Sequence, residues 1–144
     1  MSRLLIEFED VEPPFFYSYE RFSKWLEIIC KHYGKRVGRL SFIYCNDDKI
    51  IEVNREFLNH DYYTDIITFD YCRRDIISGD IYISIDTVKS NSEQFSTSFE
   101  EEFNRVFSHG ILHLIGFKDK STEESRIMRE QEANCLNLLN LVGV

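Results

Sequence analysis

The segment His109-Gly-Ile-Leu-His113-Leu-Ile-Gly116-Phe-Lys-Asp119 decides how this chain is interpreted. Two histidines four residues apart lie on one face of a helix, so both imidazoles can reach one ion. Gly116 permits a left-handed turn that ends the helix and lets the chain bring Asp119 back towards the pair. The segment therefore predicts a metal site with ligands His109, His113 and Asp119 and a fourth position open. Three protein ligands and a water are typical of catalytic zinc, so we expect hydrolytic chemistry here.

The donor set suggests which metal binds but leaves alternatives open. Two imidazoles and one carboxylate suit a single Zn²⁺ ion, although nickel, cobalt, iron and manganese accept the same ligands. We assign no side chain as catalytic, and a water on the metal is expected to be the reactive group. His32 and His60 lack such partners and are interpreted as surface or loop residues.

Length and composition predict one domain with a substantial core. The chain has 144 residues, and we expect residues 1–144 to form a single metal-dependent hydrolase domain. No apolar run is long enough to span a membrane, and acidic residues near the N-terminus do not suit a signal peptide. The four cysteines are far apart in sequence, so they are interpreted as reduced core thiols of a cytoplasmic protein.

The net charge limits the kind of nucleic-acid contact that is possible. A charge of −8 argues against a protein that coats nucleic acid non-specifically, because phosphate contacts need basic surface. The charge does not exclude a small basic groove.

Hydrophobic periodicity predicts four strands and five helices. The strands are predicted at 3–8, 38–45, 65–71 and 80–85, with residues 73–79 forming a hairpin connection. The helices are predicted at 19–33, after a cap at Asn46 or Asp47, and at 87–94, 98–115 and about 121–140. This order predicts an α+β fold with one mixed sheet of about four strands. The metal site is expected on the long helix in the C-terminal half of the chain.

The histidine spacing is also that of the metzincin proteases, so a metalloprotease is the main alternative hypothesis for the function. Those enzymes place a glutamate directly after the first histidine as the general base. The corresponding residue here is Gly110, which has no side chain. A peptidase built in this way would lack its base, so the sequence argues against proteolysis.

These residues resemble a known family. The segment 109–119 is similar to the H-G-x-L-H-L-x-G-[YF]-x-[HD] signature of the YbeY family, single-strand-specific metal-dependent endoribonucleases of ribosomal RNA maturation. The stretch NREFLNHDYYTDIITF, residues 54–69, resembles the family's N-x-x-[YWF]-R-x-x-D-x-x-T-[DN]-V-L-S-F. The strand that begins at Ser78 with SGDIYIS resembles its G-D-I-x-I-S. The resemblance implies a zinc-dependent endoribonuclease acting on single-stranded, ribosomal RNA, with ribosomal proteins as further partners and no membrane.

Two positions depart from the family pattern. The third ligand is most often histidine in the family, whereas this chain has Asp119, whose negative charge should weaken the Lewis acidity of the ion. Leu58 occupies the position where the family usually has an arginine that supports RNA cleavage. An arginine could stabilise the charge that develops on the phosphate, and leucine cannot. Lys118 or Lys120 could substitute for it.

A second hypothesis is a largely non-catalytic, metal-binding ribosome assembly factor. Leu58 and the acidic charge favour it, because an acidic surface suits basic ribosomal proteins. The open coordination position argues against it. Asp65 and Asp80 could orient the metal ligands, but capping a strand or loop explains each equally well.

Overall fold

Four strands form one mixed sheet in the computed structural model, which describes residues 3–58 and 65–142. The strands are β1 (Arg3–Phe8), β2 (Arg36–Cys45), β3 (Ile66–Asp70) and β4 (Ile76–Ser84). Their order in the sheet is β1-β2-β4-β3. β2 is parallel to both β1 and β4, whereas β3 pairs antiparallel with β4 and lies at the edge. The predicted mixed sheet is confirmed.

Five helices accompany the sheet in the predicted order. They are α1 (Tyr19–His32), α2 (Asp47–Leu58), α3 (Ile85–Gln94), α4 (Phe99–Ile115) and α5 (Thr122–Leu138), followed by a short 3-10 turn at Leu139–Leu141. The cap of α2 is Asn46, whose Oδ1 accepts a hydrogen bond from the Lys49 amide at 2.9 Å. The α+β class predicted from the sequence is therefore confirmed.

One boundary prediction was wrong. The stretch 73–79 is not simply a connection, because β4 already begins at Ile76. Its first residues pair with the start of β2, where Arg36 lies opposite Ile76 and Val37 lies opposite Ile77. The register then shifts before Leu40, which lies opposite Gly79. The alternation in the sequence becomes clear only after this irregularity, so the prediction missed residues 76–79, which are four of the nine residues in the strand.

Aromatic packing fixes α4 on the sheet. The Phe107 ring stacks on Phe42 of β2 with centroids 4.4 Å apart, and Phe103 stacks on Tyr44 at 4.7 Å. Trp25 of α1 also stacks on Phe107, with centroids 5.3 Å apart. Buried aromatic pairs of this kind stabilise a fold beyond their burial alone. They hold the helix that carries His109 and His113 in one position.

Gly110 lets α4 approach the sheet closely. A Cβ atom at this position would lie 3.1 Å from Cδ1 of Ile81 and 3.2 Å from Cδ1 of Ile66. Any larger side chain here would press into β3 and β4. The position where a metzincin carries its glutamate is therefore packed against the strands.

The cysteines behave as the composition predicted within the described structure. All four are free; Cys30, Cys45 and Cys135 are buried, and Cys72 is partly buried. None of the helices in the described ranges combines the length and apolar character needed to cross a bilayer. His32 is exposed at the end of α1, as expected for a surface residue, whereas His60 lies outside the described residues.

Candidate metal centre

The end of α4 turns the chain back as the sequence predicted. Gly116 has φ +125°, a region that side-chain-bearing residues rarely adopt. Its amide donates to the carbonyls of Leu112 and His113, both at 3.1 Å, and the Phe117 amide donates to Leu112 at 3.0 Å. These bonds satisfy the last carbonyls of the helix and redirect the following residues. The reversal carries Asp119 back towards the two histidines.

Three donor atoms converge at this point. The rings of His109 and His113 have centroids 4.5 Å apart. Oδ2 of Asp119 lies 3.3 Å from Nε2 of His109 and 3.7 Å from Nε2 of His113. Ligands that are each about 2.0–2.1 Å from a tetrahedral ion are separated by about 3.3 Å. All three donor atoms lie within 4.8 Å of one another, so this set could hold one metal ion.

Burial and exposure at this cluster suit a ligand set with one accessible side. Burial lowers the pKa of His113, and the neighbouring His109 lowers it further, while Asp119 and the Phe117 backbone oppose both effects. The net shift favours the neutral imidazole, which is the form that binds metals. The Asp119 side chain remains 39% exposed. A molecule from solvent can therefore reach the cluster.

The loop that carries Asp119 is attached to the start of α5. Ser121 caps this helix in a capping box with Glu124, as the sequence predicted. The Ser125 hydroxyl donates to the Asp119 carbonyl at 3.0 Å. The start of α5 therefore holds the backbone of the third proposed ligand.

A buried carboxylate supports His109 from behind. Oε2 of Glu132 lies 2.6 Å from Nδ1 of His109, while Nε2 of the same ring faces Asp119. Arg105 donates through Nη1 to Glu132 at 3.1 Å, and through Nε and Nη2 to Glu102 at 2.9 and 2.7 Å. The side chains of Glu102 and Glu132 are each only 3% exposed. Arg105 thus joins two buried carboxylates to the metal centre.

The electrostatics keep Glu132 and Arg105 ionised. Burial alone raises the pKa of Glu132, but the hydrogen bond with His109 and the charge of Arg105 outweigh it, so the net pKa is lowered. The hydrogen bonds to Glu102 raise the pKa of Arg105. A charged Glu132 accepts a hydrogen bond from Nδ1–H of His109, which leaves the lone pair of Nε2 on the side of the ring that faces Asp119. The network selects the tautomer that can act as a ligand.

Sequence reasoning missed Glu102, Arg105 and Glu132. A signal was available, because Glu132 lies on the apolar face of α5 with Met128 and Cys135, at helical spacing. A carboxylate on a buried face is uncommon unless it is paired. The identity of its partner, however, depends on how α5 packs against α4.

Of the two aspartates that could orient the metal ligands, one lies at the metal centre and the other does not. Asp65 lines a cavity of about 170 Å³ together with His109 and Asp119, so it does lie at the site. Asp80 lines a separate pocket with Phe69 and Tyr82, away from the histidines. Adjacent residues of a strand point to opposite faces, and Gly79 and Ile81 face α4. Asp80 is therefore not part of the metal centre.

The two lysines that could replace the family arginine lie outside the cavities beside the histidines. Lys118 and Lys120 are exposed and line neither cavity beside the histidines. Leu58 is the last residue of α2, and its side chain lies outside the described part of the structure.

A second opening lies on the His113 side of the cluster. This cleft has a volume of about 330 Å³ and is lined by His113, Ile66, Thr68 and Asp70. The last three are alternate residues of the edge strand β3 and share one face. The metal centre thus lies between a cleft along β3 and a polar cavity against α5.

The fold and the site define an α+β protein with two histidines and one aspartate arranged to hold a single metal ion. The family model described as Endoribonuclease YbeY matches residues 10–140. The chain therefore belongs to the endoribonuclease YbeY family, as the sequence motifs indicated.

Several relatives cover most of the chain. A protein of Phocaeicola vulgatus named endoribonuclease YbeY is 56% identical over 117 residues, covering 81% of this chain and 85% of the relative. The proteins of the same name from Bacteroides thetaiotaomicron and Porphyromonas gingivalis are 52% and 50% identical. They cover 79% and 81% of this chain, and 83% and 78% of their own lengths.

A solved structure has the same fold. The solution structure of a Thermotoga maritima protein matches with a TM-score of 0.68 and 31% sequence identity. The match covers 94% of this chain and 88% of that protein.

Proposed function

We propose that this protein is a zinc-dependent, single-strand-specific endoribonuclease that acts in ribosomal RNA processing and ribosome biogenesis. The observation that carries the proposal is the convergence of His109, His113 and Asp119 on one point with a solvent-accessible side. Membership of the endoribonuclease YbeY family supports RNA as the substrate. The proposal takes residues 1–144 as one hydrolase domain acting in the cytoplasm, with ribosomal RNA and ribosomal proteins as partners.

The ligand set would hold one zinc ion through the two Nε2 atoms and the Asp119 carboxylate. A bound zinc ion would polarise a phosphoryl oxygen of the RNA and favour deprotonation of the attacking group, either water or the RNA's own 2′-hydroxyl. The negative charge of Asp119, where the family most often has histidine, makes the ion a weaker Lewis acid.

The protein's own groups prepare the site for this chemistry. Glu132 fixes the tautomer and the orientation of His109, and Arg105 keeps Glu132 ionised. Ser125 holds the backbone at Asp119. The cleft beside His113 offers the flanking RNA a surface made by Ile66 and Thr68. Substrate can therefore approach a ligand set whose geometry is already formed.

A second candidate function is that of a metal-binding ribosome assembly factor with little catalysis. The observation that favours it is the net charge of −8 together with Leu58 in place of the family's usual arginine. Basic ribosomal proteins would bind such an acidic surface, and metal would then stabilise the fold rather than drive hydrolysis. Proteolysis is not proposed, because Gly110 leaves no room for the required glutamate.

The test is cleavage of a labelled single-stranded RNA by wild type and by His113→Ala, purified in parallel and assayed with and without zinc. His32→Ala is the matched control, because His32 is exposed at the end of α1. We expect zinc-dependent cleavage by wild type and the control, with loss in His113→Ala. Equal activity in all three proteins would indicate a contaminating ribonuclease. No activity in any of them would favour the assembly factor.

A further inference from the structure

One face of α5 points at the metal centre. The Ser125 hydroxyl bonds to the Asp119 carbonyl at 3.0 Å, and Glu132 lies 2.6 Å from Nδ1 of His109. Residues at i, i+4 and i+7 share a helix face, so Arg129 lies on this face between the two contacts. Arg129 also lines the 170 Å³ cavity with His109 and Asp119.

Arg129 differs from the neighbouring arginines in having no partner among the described residues. Arg105 is fully occupied by Glu102 and Glu132. Arg126 bonds to Glu123 and Glu130 on the solvent side of α5. Among residues 3–58 and 65–142, no side chain or backbone group forms a hydrogen bond or ion pair with Arg129. Its guanidinium is therefore available to a ligand.

The charged groups around the cavity leave the Arg129 guanidinium available to an anion. Arg105 balances one of the two buried carboxylates that it joins, and a divalent metal ion would balance the other together with that of Asp119. Asp65 and Arg129 remain as the other charged residues that line the cavity. A guanidinium presents planar, forked donors that match phosphate oxygens. A phosphate held between the metal and α5 would meet these donors directly.

We propose that Arg129 contacts the scissile phosphate of single-stranded RNA and stabilises the charge that develops on it. This inference rests on the proposed function and names one substrate-binding residue of the same site. Arg129 would supply from α5 the positive charge that the family's usual arginine would supply at the position of Leu58. The structure favours it over Lys118 and Lys120, which do not line the cavity.

The experiment compares Arg129→Ala and Arg129→Lys with the control Arg126→Ala. The control removes the same charge from the same helix, outside the cavity. The assays measure kcat and KM for a labelled single-stranded RNA, zinc affinity by chelator competition, and binding of a 2′-O-methyl oligonucleotide at several salt concentrations, with zinc removed so that the oligonucleotide is not cut. The binding assay needs no catalysis, so it tests the phosphate contact even if the proposed nuclease function fails.

We expect Arg129→Ala to lower kcat/KM by about a hundredfold, with partial recovery in Arg129→Lys. In Arg129→Ala, a plot of the logarithm of the oligonucleotide binding constant against the logarithm of salt concentration should be less steep by about 0.7. This is the change expected for the loss of one phosphate contact to a single strand. Zinc affinity should stay within about twofold of wild type, because Arg129 touches no ligand of the ion. Arg126→Ala should match wild type in every assay.

Three results would overturn the inference. One is an unchanged salt slope in Arg129→Ala, and another is an equal loss of binding in Arg126→Ala, which would indicate a general charge effect. The third is a large loss of zinc affinity in Arg129→Ala, which would indicate a structural role. If wild type binds the oligonucleotide through Arg129 but cuts no RNA, the phosphate contact stands and the nuclease proposal fails.

Discussion

Oε2 of Glu132 lies 2.6 Å from Nδ1 of His109, on the opposite side of the ring from Asp119. This contact links α5 to α4 at His109, where the choice of protonated ring nitrogen decides whether Nε2 can bind a metal. A carboxylate behind a ligating histidine fixes its tautomer and increases its basicity. The packing of two helices therefore prepares the donor set.

The first prediction concerns Glu132→Gln. The amide keeps the size of the side chain but loses its charge, so it polarises His109 less and can turn its NH₂ group towards the ring. We expect zinc affinity to fall by roughly 10–100-fold in a chelator competition assay. Glu130→Gln is the control, because Glu130 pairs with Arg126 on the exposed surface, away from the metal centre. Equal zinc affinities for the two variants would contradict this role.

The second prediction concerns removal of the metal. The aromatic and aliphatic core does not include the ligands, so the protein should stay folded after chelation, as judged by circular dichroism. Zinc at a free concentration of 100 times Kd should add about 2.7 kcal/mol to the free energy of unfolding. This corresponds to roughly 5–10 °C in Tm. His113→Ala should lose the zinc-dependent part of the shift, and unfolding on chelation would refute the prediction.

The third prediction concerns Gly79→Ala in β4. An added Cβ would lie 2.4 Å from the Phe69 carbonyl oxygen, so the β3–β4 pairing must open. Because β3 lines the cleft beside His113, both stability and activity should decrease. We expect a loss of about 1–3 kcal/mol in urea denaturation. Gly34→Ala is the comparison, because an added Cβ there would meet no neighbouring atom and the only strain would come from a φ of +71°. Its loss in the free energy of unfolding should therefore be smaller.

The fourth prediction concerns stability at alkaline pH. Burial raises the pKa of the Cys30, Cys45 and Cys135 thiols from 9.0 to about 12. At neutral pH these thiols are protonated in both the folded and the unfolded state. Between about pH 9 and pH 12 only the unfolded thiols ionise, so unfolding becomes easier as the pH rises. Each thiol should lower the free energy of unfolding by about 1.4 kcal/mol per pH unit in that range.

A matched variant separates this effect from general alkaline damage. Cys45→Ala should reduce the slope of stability against pH by the contribution of one thiol, whatever its effect at pH 7. The measurement is urea denaturation at several pH values from 7 to 11. A flat profile for wild type above pH 9 would show that the thiols ionise equally in both states.

Short-range sequence features determined the helix ends and the helix face that carries the two histidines. The spacing of His109 and His113, the glycine at 116 and the capping box at Ser121 each act within a few residues. Such features set the ends of helices and the faces of side chains without reference to the rest of the chain. The element order, the mixed sheet and the convergence of the three proposed ligands could all be predicted in this way.

Only the tertiary structure decided the features that depend on partners distant in sequence. Ile76 joins β4 because the start of β2 lies beside it, and Asp80 faces away from the metal centre because of how the sheet packs on α4. Glu132 meets His109, and Arg129 reaches their shared cavity, because α5 crosses α4 at that point. Periodicity tells which face of a helix is buried, but the neighbour that covers this face is set by packing. The three proposed ligands could therefore be predicted from the sequence, whereas the groups that contact them from α5 could not.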